Sequence, residues 1–557
     1  MSRTDVVVTV IVLLASGLVS AQAPPGRQGK PGAAGQVNKA AQTSTGVIRG
    51  RVVSAETGAP LRRARVVLND GQKDARAVST ETDGRYEFEG LGAGRYTITA
   101  SKAKYVTFQY GQRSGHEMGR PVDVGDGEVV DRIDVALPKG GVIAGHVFDD
   151  LGEPADYIRV AAMQVRYFDG RRQIVPLASS YVRTNDLGEY RISGLAPGRY
   201  YVGTAPPVAD SVPRPRAGRV FAASFFPGTS SLADAQAIDI EAGQERTDAN
   251  FPLVVSRPLK AVGIVMDRRG RPAGGVSVYA KQVMGRGGYF IAARGDAQAN
   301  GVFAIQDLAP GEYTLSVERT NRTTDAEESA TERITIGSAD VEGIVMTLAP
   351  MLRVTGRIRA EPRGATMPLL KDVSVVAHPL PGSATSQESS TWIAGDGTFQ
   401  FGNTIAGPTR LALNGLPAGW ALKGVVYAGR DVIDGLNVRE DVSGLELVLT
   451  NVVTTLSGAV TDPDNRPVDD YAVIVFADEA SRWDNPRYLA AARPDQNGRF
   501  SVRGLPAGNY LAIAVREVEE GAASDPEYLE RLRPDATKLT VRDGETTSVE
   551  LKIAKMG

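Results

Sequence analysis

From residue 46 onward the chain is a succession of short runs in which apolar and polar positions alternate. Ala64, Val66 and Leu68 alternate with Arg65 and Val67, and Tyr86 and Phe88 with Glu87 and Glu89. Tyr96, Ile98 and Ala100 alternate with Thr97 and Thr99, and near the end Val549, Leu551 and Ile553 alternate with Glu550 and Lys552. A period of two predicts strands with one apolar and one wet face. Each apolar face needs a second sheet to cover it. Turn residues separate the runs every ~8–12 residues, so the pattern predicts β-sandwiches. No long stretch keeps a helical period; only Pro526 to Arg533 predicts a short helix.

The runs recur in a larger repeat of roughly 95–115 residues. Each unit opens with a glycine-bearing strand, then a turn, then a proline. Gly50-Arg51-Val52 leads to Gly58-Ala59-Pro60, Gly145-His146-Val147 to Gly152-Glu153-Pro154, Gly263-Ile264-Val265 to Gly270-Arg271-Pro272, and Gly458-Ala459-Val460 to Asn465-Arg466-Pro467. A second block follows. It places an aromatic strand after Gly84, Gly188, Gly301 and Gly498, then a Leu-x-x-Gly-x-Tyr run ending at Tyr96, Tyr200, Tyr313 and Tyr510. The unit from about Leu352 departs from this. It has Asp396-Gly397-Thr398-Phe399, but the tyrosine run does not follow at the usual distance; Leu416-Pro417-Ala418-Gly419-Trp420 resembles it further on, as an insertion or by accident.

These blocks resemble the carboxypeptidase regulatory-like domain family. The resemblance implies a small prealbumin-like (transthyretin-like, Greek-key) β-sandwich, also grouped with starch-binding-like folds. Residues 46–138 and 454–553 carry it best, 141–254 and 258–350 well, and 352–450 in divergent form. The expected fold is therefore all-β, about five tandem sandwiches, the second with an insertion at Phe221 to Asp234 in which Phe225 and Phe226 are expected to pack under a long loop. The family name does not imply catalysis here. Zinc carboxypeptidases use His-x-x-Glu with a distant histidine, and none of His116, His146 and His378 fits that spacing or His-Glu-x-x-His.

The start of the chain reads differently. Arg3, an apolar run from Val6 to Val19 and Ala21-Gln22-Ala23 predict a cleavable signal peptide over 1–23, short for a permanent membrane anchor, with an uncleaved anchor as the alternative. Residues 24–45 lack large apolar side chains and read as a flexible linker. Four Gly triplets there are too few for a collagen helix. The expected product is secreted, periplasmic or extracellular, with no stable membrane insertion after cleavage.

Composition narrows the chemistry. Without cysteine there is no disulfide, thiolate metal site or cysteine nucleophile. A formal net charge of -2, with both signs interspersed, gives no footprint for nucleic acid. No Gly-x-Ser-x-Gly elbow and no phosphate-binding glycine loop is present. The expectation is therefore no catalytic residue, no cofactor and no metal ligand. Asp83, Asp186, Asp396 and Asp495 beside glycine read as hairpin turns rather than calcium loops. The repeated tyrosines read as core rings whose hydroxyls reach backbone. Candidate ligand contacts are the aromatics outside the repeated positions: Trp392, Trp420, Trp483 and Tyr488. Rings beside Asp, Asn and Arg suit sugars or a protein interface; equally, they cover the rim of a core or a domain junction. The expected function is a non-catalytic binding scaffold for polysaccharide or an envelope protein, built as a string of sandwiches. The alternatives are a stalk without small ligands and a hydrolase or hydrolase accessory, the latter needing converging acids where the fourth and fifth units meet.

Overall fold

The computed structural model describes residues 45–554 except 71–74, 116, 169–170, 178–179, 205–217, 285–287, 322–325, 362–367, 381–382, 384–387, 405, 418 and 520. The segment expected as signal peptide, most of the linker and His116 lie outside the described residues. Residues 44–557 form one compact unit. Its strands make pairs of facing sheets, each pair closed on its own apolar core. The fold is an all-β series of five sandwiches.

The first sandwich shows the plan. Strand Gly46–Ser54 lies between antiparallel Arg85–Leu91 and parallel Val129–Val130 and Val135–Leu137. The facing sheet pairs Arg76–Ser79, Arg65–Asn69 and Gly94–Ser101 and continues to Phe108–Gln109 and Val122–Val124. Arg85–Leu91 alternates as expected, with Tyr86 and Phe88 buried and Glu87 and Glu89 exposed. The same arrangement returns around Gly141–Phe148, Leu259–Met266, Leu352–Glu361 and Thr455–Thr461.

The strand glycine and the aromatic are one device. Gly50 sits opposite Tyr86, Gly145 opposite Tyr190, Gly263 opposite Phe303, Gly356 opposite Phe399 and Gly458 opposite Phe500. A Cβ at these glycines would run into the carbonyl oxygens of Ile133, Ala249, Ile344, Leu445 and Val549, and in four of the five also into the opposite side chain. Glycine therefore lets the parallel strand and the ring close over the same spot. Tyr86 donates its hydroxyl hydrogen to Ile133 O at 2.5 Å, and Tyr190 to Ala249 O at 2.6 Å.

The second set of tyrosines closes the sandwich ends. Tyr96, Tyr200, Tyr313 and Tyr510 each donate to the carbonyl four residues back, at 2.6–2.9 Å. The fourth sandwich decides between the two readings left open for its second block. Its strand Thr398–Thr404 runs directly into Gly407–Asn414, so the second block sits at the usual distance with Thr409 in the tyrosine's place. Thr409 pairs with Leu436 as Tyr96 pairs with Val122 and Tyr510 with Leu539. The likeness at Leu416 to Trp420 is accidental; it leads into an added hairpin, Ala421–Tyr427 with Arg430–Asp431, that extends the other sheet beyond Val442–Thr450. An apolar gap adjoins Thr409, lined also by Val354, Phe401, Leu411 and Val438.

The turns are made largely by short side chains accepting backbone N–H groups. Asp83, Asp396 and Asp495 do this, but in the second sandwich the acceptor is Asn185, not the expected Asp186. In the Phe221 to Asp234 segment Phe226 packs on the core of the second sandwich.

Candidate functional site

The fifth sandwich is built differently on its outside. Strand Ala472–Ala477 is buried at every position, and Tyr510 to Val515 likewise. A strand buried on both faces reads as a continuous apolar run instead of alternating. Tyr471, Val473 and Val475 face the inner core. Ile474, Phe476, Leu511, Ile513 and Val515 face outward, into a second core closed by Trp483, Val518, Ala522, Leu529 and Leu532. The last two come from the helix Pro526–Leu532. Asp525 caps that helix by accepting the Glu527 N–H at 3.0 Å, and Pro526 occupies its first turn.

Trp483 is a structural part of this layer. It is 4% exposed, donates from Nε1 to Ala477 O at 2.7 Å and meets Phe476 edge-on at 5.5 Å. The Arg533 guanidinium lies over the ring at 5.8 Å. A ring so enclosed offers no face to a sugar. Tyr488 lies between the two cores of the fifth sandwich and reaches the fourth. Its hydroxyl lies 3.1 and 3.3 Å from the two Asp434 oxygens, and Asn485 donates to the same carboxylate at 2.8 Å. Arg487 donates to Lys423 O at 3.1 Å. Arg482 stacks over the Tyr488 ring at 4.9 Å. Burial pushes the Arg410 guanidinium down, against the pull of the Asp484 and Asp434 charges. Acids do gather where the fourth and fifth sandwiches meet, but Asp434 is held by Asn485 and Tyr488 as a clamp between the two.

Trp420 packs half-buried on the fourth core. Trp392 is 59% exposed, on strand Ser389–Trp392 at a sheet edge of the fourth sandwich. The four candidates thus do not form one site. Trp483 and Tyr488 share a junction, Trp420 belongs to a core, and Trp392 is the one of the four that is mostly exposed.

A junction the sequence reading missed joins the first sandwich to the fifth, across some 373 residues of chain. Arg493 and Glu117 are each 1% exposed at the side chain and form an ion pair. Arg493 also meets Asp470 at 2.5 Å, and Arg113 meets both Glu117 at 3.0 Å and Asp470 at 2.7 Å. Two guanidinium groups and two carboxylates therefore make a neutral quartet, the arrangement that buried charge requires. Burial pushes the Glu117 carboxyl up, but hydrogen bonds from the Arg113 side chain and N–H and the Arg493 charge hold it below the usual carboxylate range. Around the quartet Gln496 exchanges hydrogen bonds with the Asp123 backbone at 3.0 and 2.6 Å, and Arg120 donates to Pro494 O and Asp495 O. Met118 and Tyr167, from the first and second sandwiches, pack on the second core of the fifth. The signal in the sequence was Ala472 to Ala477 and Leu511 to Val515, runs too apolar for a half-wet sheet.

Among the described residues no group of three or more His, Asp or Glu side chains is placed to hold a metal ion. His146 lies 3.6 Å from Glu189, and His378 Nδ1 is 2.6 Å from Glu388, both at the surface. No described helix is long and apolar enough to cross a membrane.

Residues 47–138 match the model of one protein family. The first sandwich matches the carboxypeptidase regulatory-like domain. The four sandwiches after it repeat the glycine–aromatic pair seen in the first. No curated protein matches the chain. Among solved structures it is similar to GBS52, the minor pilin of Streptococcus agalactiae, at 14% identity over 38% of this chain and 95% of that one, TM-score 0.21. It is similar to a streptococcal ancillary pilin at 13% identity over 55% and 99%, TM-score 0.19. It is similar to two B repeat units of the Staphylococcus aureus collagen binding protein at 13% identity over 73% and 100%, TM-score 0.13. At identities and scores this low the likeness says nothing of what the chain binds.

Proposed function

We propose that the chain is an exported, non-catalytic scaffold whose sandwiches are fastened to one another and which binds macromolecules through their ends and edges. The observation that carries this reading is the buried Glu117–Arg493 pair, with Arg113 and Asp470 at its exposed side, which fastens the first sandwich to the fifth. A string of independent beads has no use for it. A carboxylate and a guanidinium enclosed at this depth serve to fix one arrangement rather than to add net stability. The apolar segment at Val6 to Val19 supports export.

Within this reading, Trp392 is the aromatic left for a polysaccharide or an envelope protein. Pull-down of the full chain on insoluble polysaccharides, with a glycan array, tests it. Binding that Trp392→Ala weakens by about tenfold supports carbohydrate as the partner. Binding to no glycan removes the carbohydrate version and leaves a protein partner. Turnover of any glycan or peptide by the purified chain overturns the non-catalytic reading altogether. The stalk reading keeps one observation in its favour: Trp483 and Tyr488 are consumed in packing.

A further inference from the structure

The fifth sandwich receives the first at one particular end, formed by the loop Asp469 to Tyr471 and the turn Asp495 to Gly498. The matching end of the second sandwich is open and carries a different surface. Leu151, Tyr157 and Leu187 are 53%, 51% and 57% exposed there. The three loops that hold them are tied together by backbone hydrogen bonds. Asp149 N donates to Glu153 O, Val147 N to Gly188 O, Ala155 N to Val147 O and Tyr157 N to Thr184 O, all at 2.8–3.2 Å.

The repeat shows that these residues are unusual. At the place of Leu187 the other four sandwiches have Asp83, Asn300, Asp396 and Asn497, and at the place of Leu151 the clear repeats have Thr57, Arg269 and Asp464. Tyr157 adopts a left-handed backbone, φ 63°, where the first sandwich has Arg63 and the third Gly275. A tyrosine held in that conformation, with Arg183 stacked at 4.1 Å, contributes nothing to its own core. Each loop also carries one exposed carboxylate beside its apolar residue: Glu153, Asp156 and Asp186. In the fifth sandwich the positions of Tyr157 and Asp186 are Asp470 and Gln496, the residues that bind Arg113 and Asp123 of the first.

We propose that this end of the second sandwich is a docking surface for a protein segment that carries apolar side chains flanked by lysine or arginine. Glu153, Asp156 and Asp186 beside the three apolar residues, with Asp150, outnumber the two arginines of this end, Arg183 on Tyr157 and Arg219 on Asp150, so the surface fits such a segment by charge and by burial, and the fifth sandwich already receives an arginine-bearing loop at the same end. The same acids repel an anionic membrane. The proposal deepens the scaffold reading and rests on it.

The test uses the full chain and two fluorescein-labelled 18-residue amphipathic peptides of equal leucine content, one with lysine and one with glutamate at the polar positions. Fluorescence anisotropy should show the lysine peptide binding at least about tenfold more tightly than the glutamate peptide. The double variant Leu151→Thr, Leu187→Asp uses residues the other sandwiches carry, so its turns should form. It should lose at least about tenfold in affinity with an unchanged melting curve. A Tyr157→Arg variant should do the same, should the double variant fail to fold. Equal binding of both peptides, binding of neither, or variants that bind as the parent chain overturn the proposal. So does a homodimer in sedimentation that the double variant abolishes, which makes a second copy the occupant, or binding to phosphatidylserine vesicles through these residues. None of these touches the scaffold reading, which falls on turnover.

Discussion

The first and fifth sandwiches share a plan and differ in what covers them. In the first, Arg65–Asn69 buries Val66 and Leu68 and leaves the residues between and beside them partly or fully exposed. In the fifth, Ala472–Ala477 is buried on both faces, because a helix, Trp483 and parts of two other sandwiches lie against its outer side. The inner cores need no such help: both hold a glycine under an aromatic and a tyrosine bonded back to its own turn. The difference teaches that the repeat unit is sufficient for a sandwich, and that extra apolar residues on an outer face mark where sandwiches are joined.

Removing one partner of the buried Glu117–Arg493 pair should have the largest effect on this contrast. Arg493→Ala leaves Glu117 enclosed with only the half-exposed Arg113 as counter-charge, which should cost about 3–5 kcal/mol. The expected outcome is release of the first sandwich, seen as a larger hydrodynamic radius and new protease cuts between the sandwiches, while the inner cores still melt cooperatively. An unchanged radius would remove the quartet as the fastening. The same contact should respond to pH. The folded Glu117 carboxyl titrates below its unfolded value, so its contribution is complete above the ordinary carboxylate pKa and is lost as pH falls below about 4.5 toward the depressed folded value. Glu117→Gln should flatten that acid limb.

The two extreme tryptophans separate the covered face from the open one. Trp483→Ala empties the second core and strands the Ala477 carbonyl, which should cost about 3–5 kcal/mol. Trp392→Ala, on an exposed edge, should change stability by less than about 0.5 kcal/mol. Denaturant midpoints of the two variants measure this directly. Equal effects would mean that the outer layer of the fifth sandwich is not a core.

The sandwiches themselves were legible because their signal is local. The alternation in Arg85–Leu91 and the spacing from Gly84 to Tyr96 are within one hairpin. The junctions were not, because Glu117 and Arg493 are ordinary surface-type residues until a chain contact some 375 residues away encloses them. Trp483 misled for the related reason that its polar neighbours, Arg482 and Asp484, flank a ring that turns inward to Ala477. Thr409 carries no such signal, because the aromatic that marks the other units is absent there while the backbone keeps the strand without it.

That substitution gives the smallest and most discriminating test. Tyr96 in the first sandwich and Tyr510 in the fifth hold the core position that Thr409 holds in the fourth, where a small apolar gap adjoins it. If the tyrosine belongs to the shared inner plan, its effect should not depend on what covers the outside. Tyr96→Thr should then destabilise the first sandwich. Thr409→Tyr should stabilise the fourth by about 0.5–2 kcal/mol, as a ring filling existing space commonly does. Thermal melts of the two variants check both signs. A Thr409→Tyr variant that is destabilised would show that the fourth sandwich has closed around threonine and that the gap is too narrow for a ring, since overpacking a settled core is itself costly.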